Sequence, residues 1–268
     1  MAAAGSAGGE RITTDQDGHV LLIGVNRPEK RNAFDLAALA QLAAAYQRLA
    51  DDDGLRAGVL YAHGEHFSAG LDLAEVGPAV AEHGPAALSG GGRYDPFGVW
   101  GEQVPKPVVM AVQGVAFTLT IELALASDIV VAAADVRFRQ LEIARGILPF
   151  GGATFRAPAQ LGWGNAMRFL LTAEEFGAEE ARRIGLVQEV VDPGRQLDRA
   201  LEVARLVAAQ APLGVRGTLA NARVARAAAE RAAVEQLGTL LSGVLSSQDA
   251  QEGVRSFLER RSASFTGR

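Results

Sequence analysis

The sequence predicts an α/β fold: strand-then-helix units followed by a helical tail. Two short, fully apolar, β-rich runs, Val108–Val112 and Ile129–Ala133, are separated by a segment whose second half is rich in helix formers. The last third of the chain, about 195–262, is Ala-rich, charged on one side and free of strand signals. Alternation of this kind, closed by helices, implies an α/β body with a terminal helical subdomain. With 268 residues, 49% of them hydrophobic, the chain can bury a sizeable core.

Residues 1–10, small and Gly/Ala-rich, lack the basic and apolar segments of a signal peptide and are expected to form a disordered tail. Arg11 to Thr14 and His19 to Val25 are expected to pair as a hairpin around Asp17-Gly18. A charged loop, Asn26 to Asn32, follows. Asp35 is placed to cap a helix running to about Ala50, in which Leu36, Leu39, Ala43, Tyr46 and Leu49 keep helical spacing. Arg56 to Tyr61 is a strand, and Gly64 to Leu73 a tight turn opening a short helix. From Gly77 to Gln103, Gly, Pro and small residues predict one long, mobile loop. After the central stretch, 153–184 is mainly helical, Leu186 to Val191 is a strand and Asp192-Pro193-Gly194 a turn.

The central stretch from Pro107 to Gly152 carries the chemistry. Thr118 or Thr120 can cap the helix that contains Glu122, and a helix start, with its unpaired N–H groups, can hold a developing anion. Glu122 interrupts an otherwise apolar segment, so burial is expected, and buried carboxylates are rare unless paired or functional. Glu142 arrives from the next loop, ahead of the breakers Gly146, Pro149, Gly151 and Gly152. Two carboxylates beside an anion-stabilising helix start can move protons next to an oxyanion. Taken singly and without context, each glutamate is better explained otherwise: Glu122 as a surface residue favoured by the helix dipole, Glu142 as a solvated loop residue.

Other chemistries are disfavoured. No cysteine is present, which removes disulfides, zinc–thiolate sites and thiol nucleophiles. A net charge of −5 argues against nucleic-acid binding. His63 and His66 have no converging partners for a metal. Ser68 lies outside a Gly-x-Ser-x-Gly elbow, and Gly162-Trp163-Gly164 is not a dinucleotide fingerprint. The apolar region 107–134 is broken by Gln113, Glu122 and Asp128 and is too polar to span a membrane. The expected location is cytoplasmic.

Four stretches resemble, in order and spacing, the crotonase (enoyl-CoA hydratase/isomerase) superfamily. They are Asn26-Arg-Pro-Glu-Lys-Arg-Asn-Ala33, Phe67-Ser-Ala-Gly-Leu-Asp-Leu73, Lys106 through Gly114 to Glu122 and Asp128, and Leu141-Glu-Ile143 with Gly146 and Pro149-Phe-Gly-Gly152. Phe257 to Arg268 is similar to the family's C-terminal end. The resemblance implies a crotonase-like ββα spiral core over residues 11–200 and a helical oligomerisation region over 201–268 that builds homotrimers or homohexamers. It implies an acyl-CoA substrate, coenzyme A entering only as part of that substrate, and no metal, nucleic acid or membrane partner. By position, the backbone N–H groups of Leu71 and Leu119 would form the oxyanion hole. Glu122 would hold and activate water, and Glu142 would exchange a proton at the α-carbon. Arg27, Lys30, Arg31, Ala69 and Asp72 would meet the coenzyme.

Since an isomerase needs mainly the second glutamate, the pair favours an enoyl-CoA hydratase. The alternatives are an isomerase or other lyase on the same scaffold and, further off, a non-catalytic acyl-CoA-binding subunit. One departure stands out: hydratases of the family usually carry three glycines where this chain has Thr118-Leu119-Thr120. Their side chains either narrow the acyl site or pack into the core and stiffen the helix start.

Overall fold

The computed structural model describes residues 9–268; the expected tail therefore lies almost wholly outside the described residues, with only Gly9 and Glu10 seen, both exposed. The N-terminal hairpin forms as expected: β1 (Ile12–Asp17) pairs antiparallel with β2 (Val20–Val25), with Gly18 at φ 57° in the turn. Asp35 caps α1 (Leu36–Asp51), its carboxylate accepting the Ala38 N–H at 2.8 Å. The chain continues through β3 (Ala57–Ala62), α2 (Leu73–His83), β4 (Val108–Val112), β5 (Val115–Phe117), α3 (Leu119–Ala126), β6 (Ile129–Ala133) and β7 (Arg137–Arg139). Then come α4 (Ala153–Leu161), α5 (Trp163–Thr172), β8 (Phe176–Gly177), α6 (Ala178–Ile184), β9 (Glu189–Val191), α7 (Gln196–Ala208), α8 (Pro212–Leu245) and α9 (Gln248–Leu258).

Strands β1-β2-β3-β4-β6-β9 form one sheet, parallel from β2 onward, and β5-β7-β8 form a second. The chain alternates between the two. β4 lies in the first sheet and β5 in the second, then α3 follows; β6 and β7 repeat the move. The segment 67–71 does the same after β3 without being a full strand, since Ser68 bridges to Ala116 and Leu71 to Phe34. Each turn of the spiral thus runs strand, short second strand, helix. Leu71, Leu119 and Glu142 all fall just after the second strand of successive turns, which brings them to one face.

Both faces of the larger sheet are covered, which explains the unbroken apolar strands. Val108, Met110 and Val112 join the main core, while Val109 and Ala111 face the other way, onto Ala200, Val203, Ala204 and Ala208 of α7. The expected loop 77–103 is not one irregular segment. Residues 77–83 complete α2 despite Pro78, and Pro85–Ser89 forms a 3-10 turn. Beyond it Asp95 accepts the N–H groups of Phe97, Val99 and Trp100 at 2.8–2.9 Å. Sequence composition hid this order because a single buried carboxylate, Asp95, substitutes for a regular backbone ladder. No helix among the described residues is long and apolar enough to cross a membrane.

Candidate active site

The two backbone donors singled out in the sequence are both free. Phe34 N–H donates to Gly70 C=O (2.9 Å) and Asp72 N–H to Phe34 C=O (2.8 Å). Because C=O and the next N–H of a trans peptide point in opposite directions, Leu71 N–H is turned away from Phe34. Thr118 C=O accepts from Ile121 N–H at 2.9 Å inside α3, so Leu119 N–H likewise points out of the helix start. Among the described residues neither N–H has a protein acceptor. The turn before Leu71 is held rigidly: Ser68 Oγ donates to Asn32 C=O (2.8 Å) and accepts Gly70 N–H (3.0 Å). Asn32 in turn donates to the carbonyls of His63 and His66, both at 2.8 Å. Ser68 is therefore a buried brace, and the serine found outside a hydrolase elbow has a structural task.

Glu122, one turn into α3, is 2% exposed. Its Oε1 accepts the N–H groups of Gly151 (2.8 Å) and Ala153 (3.1 Å), the latter at the start of α4. A Cβ on Gly151 would stand 2.6 Å from Glu122 Oε2, so only glycine lets the loop close on the carboxylate. Oε2 has no protein partner among the described residues. Burial pushes the Glu122 carboxyl up to about 7, against the pull of the Ala153 and Gly151 N–H groups and of the Arg156 charge. Glu142 opens a 3-10 turn, Glu142–Arg145, and is also buried. Its Oε1 accepts from Gln140 Nε2 at 3.0 Å, and its Oε2 is unpartnered. Burial first, and the Glu122 charge second, hold the Glu142 carboxyl well above the usual carboxylate range. α9 backs this turn. Gly253 lies against Arg145 C=O and Gly146 against Asp249 C=O, contacts that no larger residue fits.

Several partners were not read from the sequence. Gln140 lies just past β7 and Glu142 opens the 3-10 turn two residues on, so their contact depends on an irregular stretch that no periodicity exposes. Of the two N–H donors to Glu122, Gly151 was seen only as a breaker and Ala153 only as the start of a helical stretch. Arg156, fully buried on α4, donates to the carbonyls of Phe97 and Gly98 (the latter at 2.8 Å) and pairs with Glu230 at 3.3 Å, tying the 95–100 loop to α8.

The basic loop divides. Arg27 is buried, its guanidinium pairing with Asp72 (2.9 Å), Asp35 (3.5 Å) and Glu75 (3.7 Å) and donating to Ala33 C=O (3.0 Å). Arg27 and half-buried Asp72, both expected at a coenzyme, thus pair with one another in the free protein, which a loop of mixed charge does not reveal. Lys30 and Arg31 are exposed and, among the described residues, enter no ion pair; Ala69 is half-buried, its N–H donating to Arg31 C=O at 2.9 Å.

The helix-cap expectation also fails. Neither threonine hydroxyl caps α3; both Oγ1 atoms are buried and, among the described residues, without partners. Thr118 holds φ 52°, ψ −113°, a conformation that costs a β-branched residue about 1–3 kcal/mol. The packing alternative holds for two of the three residues, since Leu119 and Thr120 are buried, Leu119 within the main core. Thr118 differs: its Oγ1 sits against Gly70, in the space a Cβ there would need.

Two backbone N–H groups without protein acceptors among the described residues, and two buried carboxylates of raised proton affinity, are groups that a proton-moving enzyme could use. The comparisons with known proteins agree. The sequence model of the enoyl-CoA hydratase/isomerase family matches residues 15–268, and the chain belongs to that family. It is 31% identical to an enoyl-CoA hydratase of Mycobacterium tuberculosis, over 97% of this chain and 98% of that one. It is 33% identical to the 2,3-dehydroadipyl-CoA hydratase of Escherichia coli, over 93% and 96%. Among solved structures, a probable enoyl-CoA hydratase/isomerase from Mycobacterium abscessus superposes with a TM-score of 0.78 at 50% identity, covering 97% of this chain and 99% of the other. The fold is thus the crotonase fold, and the chain is an enzyme of the hydratase/isomerase type acting on acyl-CoA.

Proposed function

We propose that the enzyme adds water across the double bond of a 2-enoyl-CoA thioester. The observation that carries this reading is the pair of buried carboxylates. Glu122 is held by the Gly151 and Ala153 N–H groups and Glu142 by Gln140, and each has one oxygen without a protein partner among the described residues. With Glu122 near 7 and Glu142 well above, one proton is shared unequally: near neutral pH a fraction of molecules holds Glu122 ionised while Glu142 stays protonated. Glu122 Oε2 then takes a proton from water as the water oxygen bonds to C3. The C2=C3 electrons shift toward the thioester, whose oxygen gains negative charge between Leu71 N–H and Leu119 N–H, a stabilisation worth roughly 3–4 kcal/mol per donor. Glu142 gives its proton to C2, leaving a 3-hydroxyacyl-CoA. Return of the proton from Glu122 to Glu142 resets the pair. The residues require no metal or organic cofactor for these steps. Lys30 and Arg31 are the side chains we place at the coenzyme phosphates, with Ala69 beside them.

The rival reading, a shift of a 3-enoyl double bond, uses Glu142 alone and leaves the fixed, doubly hydrogen-bonded Glu122 without a task. Because one scaffold hosts several chemistries, the decisive experiment gives the enzyme crotonyl-CoA, longer 2-enoyl-CoAs and 3-enoyl-CoAs and follows both hydration and isomerisation. Isomerisation without hydration overturns the proposal.

The pH profile follows from the same split. Below about 7, Glu122 takes up a proton and can no longer accept one from water, so hydration falls toward acid. Above the raised value of Glu142, the acid is lost and the rate falls again. The expected kcat/KM profile is bell-shaped, its two apparent values belonging to the pair. A profile flat from about pH 5 to 9 contradicts the assignment.

We further propose that α8 and α9 pack against other copies of the chain as a trimer or hexamer. The 34-residue α8 leaves Leu213, Val224 and Leu240 exposed, and α9 leaves Val254, Phe257 and Leu258 exposed, apolar surface that a second subunit would cover. Sedimentation equilibrium should show three or six chains; a stable monomer at micromolar concentration refutes this.

A further inference from the structure

We propose that the Thr118 hydroxyl is a third hydrogen-bond donor to the thioester oxygen, standing between the backbone donors of Leu71 and Leu119. The inference rests on the acyl-CoA reading of this site and deepens it. Three observations converge on the residue. Thr118 is held at positive φ, where glycine is at home and a β-branched side chain is strained. Its Oγ1 is closed off from solvent yet has no partner among the described residues. That same oxygen lies against Gly70, whose own φ of 111° and missing Cβ make room for it.

Position explains why these disadvantages coincide. Thr118 directly precedes the Leu119 donor, and Gly70 directly precedes the Leu71 donor. A hydroxyl lodged between Thr118 and Gly70 therefore sits within one peptide of both N–H groups. An oxygen atom held by those two groups meets it at close range. A hydroxyl can rotate its hydrogen toward whichever acceptor is present; because the oxygen is closed off from solvent in the free protein, a small opening beside Gly70 accompanies substrate binding. In the free protein no acceptor is there, and the group is unpaired. The charge that develops on the thioester oxygen supplies the missing acceptor, so the hydroxyl favours the transition state over the free enzyme.

Substitution separates the donor from the filler. Thr118→Val keeps size and branching and removes only the hydroxyl; Thr118→Ser keeps the hydroxyl and loses the methyl. On whichever enoyl-CoA the wild type hydrates best, Thr118→Val is expected to lower kcat about 10- to 100-fold with KM within about threefold, and Thr118→Ser to stay within about threefold in both. Thr118→Ala carries the same expectation as valine should the valine variant not fold. Thr118→Gly gives a signature a purely structural residue would not: relief of the strained φ raises Tm while kcat falls.

The second readout is spectroscopic. A conjugated 2,4-dienoyl-CoA bound to the wild type should absorb at longer wavelength than free, because donors on its carbonyl oxygen pull charge along the chain. Thr118→Val should lose part of that shift, and Thr118→Ser should keep it. If the wild type binds the dienoyl-CoA without any shift, the oxyanion-hole reading of the site fails. If the wild type shows the shift and Thr118→Val matches it in both shift and kcat, the site stands and the third donor is overturned.

Discussion

Glu142→Gln lowers hydration of a 2-enoyl-CoA by about 10²- to 10⁴-fold, with the affinity for acyl-CoA nearly unchanged. The amide is close in size to the carboxylic acid it replaces, so the buried turn Glu142–Arg145 and the α9 packing behind it keep their shape. What is lost is a proton that can be given up at C2. An amide N–H is far too weak an acid to leave with one. Gln140, which donates to Glu142, is itself an amide, and Glu122 is the group that takes the proton from water. Steady-state kinetics together with direct titration of a saturated acyl-CoA check both halves of this expectation. A variant turning over within about tenfold of the wild type removes Glu142 from the proton-carrying role.

Glu122→Gln is expected to be comparably severe for hydration and mild for any isomerisation of a 3-enoyl-CoA. The amide carbonyl can still accept from the Gly151 and Ala153 N–H groups, so the loop that closes on residue 122 stays in place. The atom then facing the site is an NH₂ group, which donates instead of accepting and cannot take a proton from water. Double-bond migration needs one proton carrier at C2, and Glu142 remains. Parallel assays with 2-enoyl and 3-enoyl substrates measure the contrast. Intact hydration in this variant means that water is activated elsewhere, and the isomerase reading then gains.

How much of this was legible beforehand follows from the range of each interaction. The hairpin, the Asp35 cap and helix α1, and strands β4 and β6 are specified by neighbours in sequence, through turn chemistry, side-chain capping and apolar runs, and all appear where the residues place them. The two glutamates stood out because an acid inside an apolar run is anomalous locally. The catalytic class was legible from motif order and spacing. The connection after α2 was misread because its order comes from Asp95 and Arg156, single side chains that replace a ladder. The burial of Arg27 was not legible, because a guanidinium in a charged loop looks the same whether it faces water or three carboxylates.

The sequence by itself determined the α/β class, the element order through the central region, the family and the candidate residues. Only the tertiary structure decided what those residues are to one another. The spiral has no sequence repeat, because what recurs is the backbone path between two sheets and not a side-chain pattern. Yet that path carries Leu71, Leu119 and Glu142, each after the second strand of its own turn, to one face. Proton affinities depend on burial and on charges from distant segments, so the unequal sharing between Glu122 and Glu142 exists only once Gly151, Ala153, Arg156 and Gln140 close around them. Thr118 shows the same division at a single residue. As a letter it is a departure from glycine; its strained φ and the oxygen lodged against Gly70 exist only when two turns 48 positions apart are packed together.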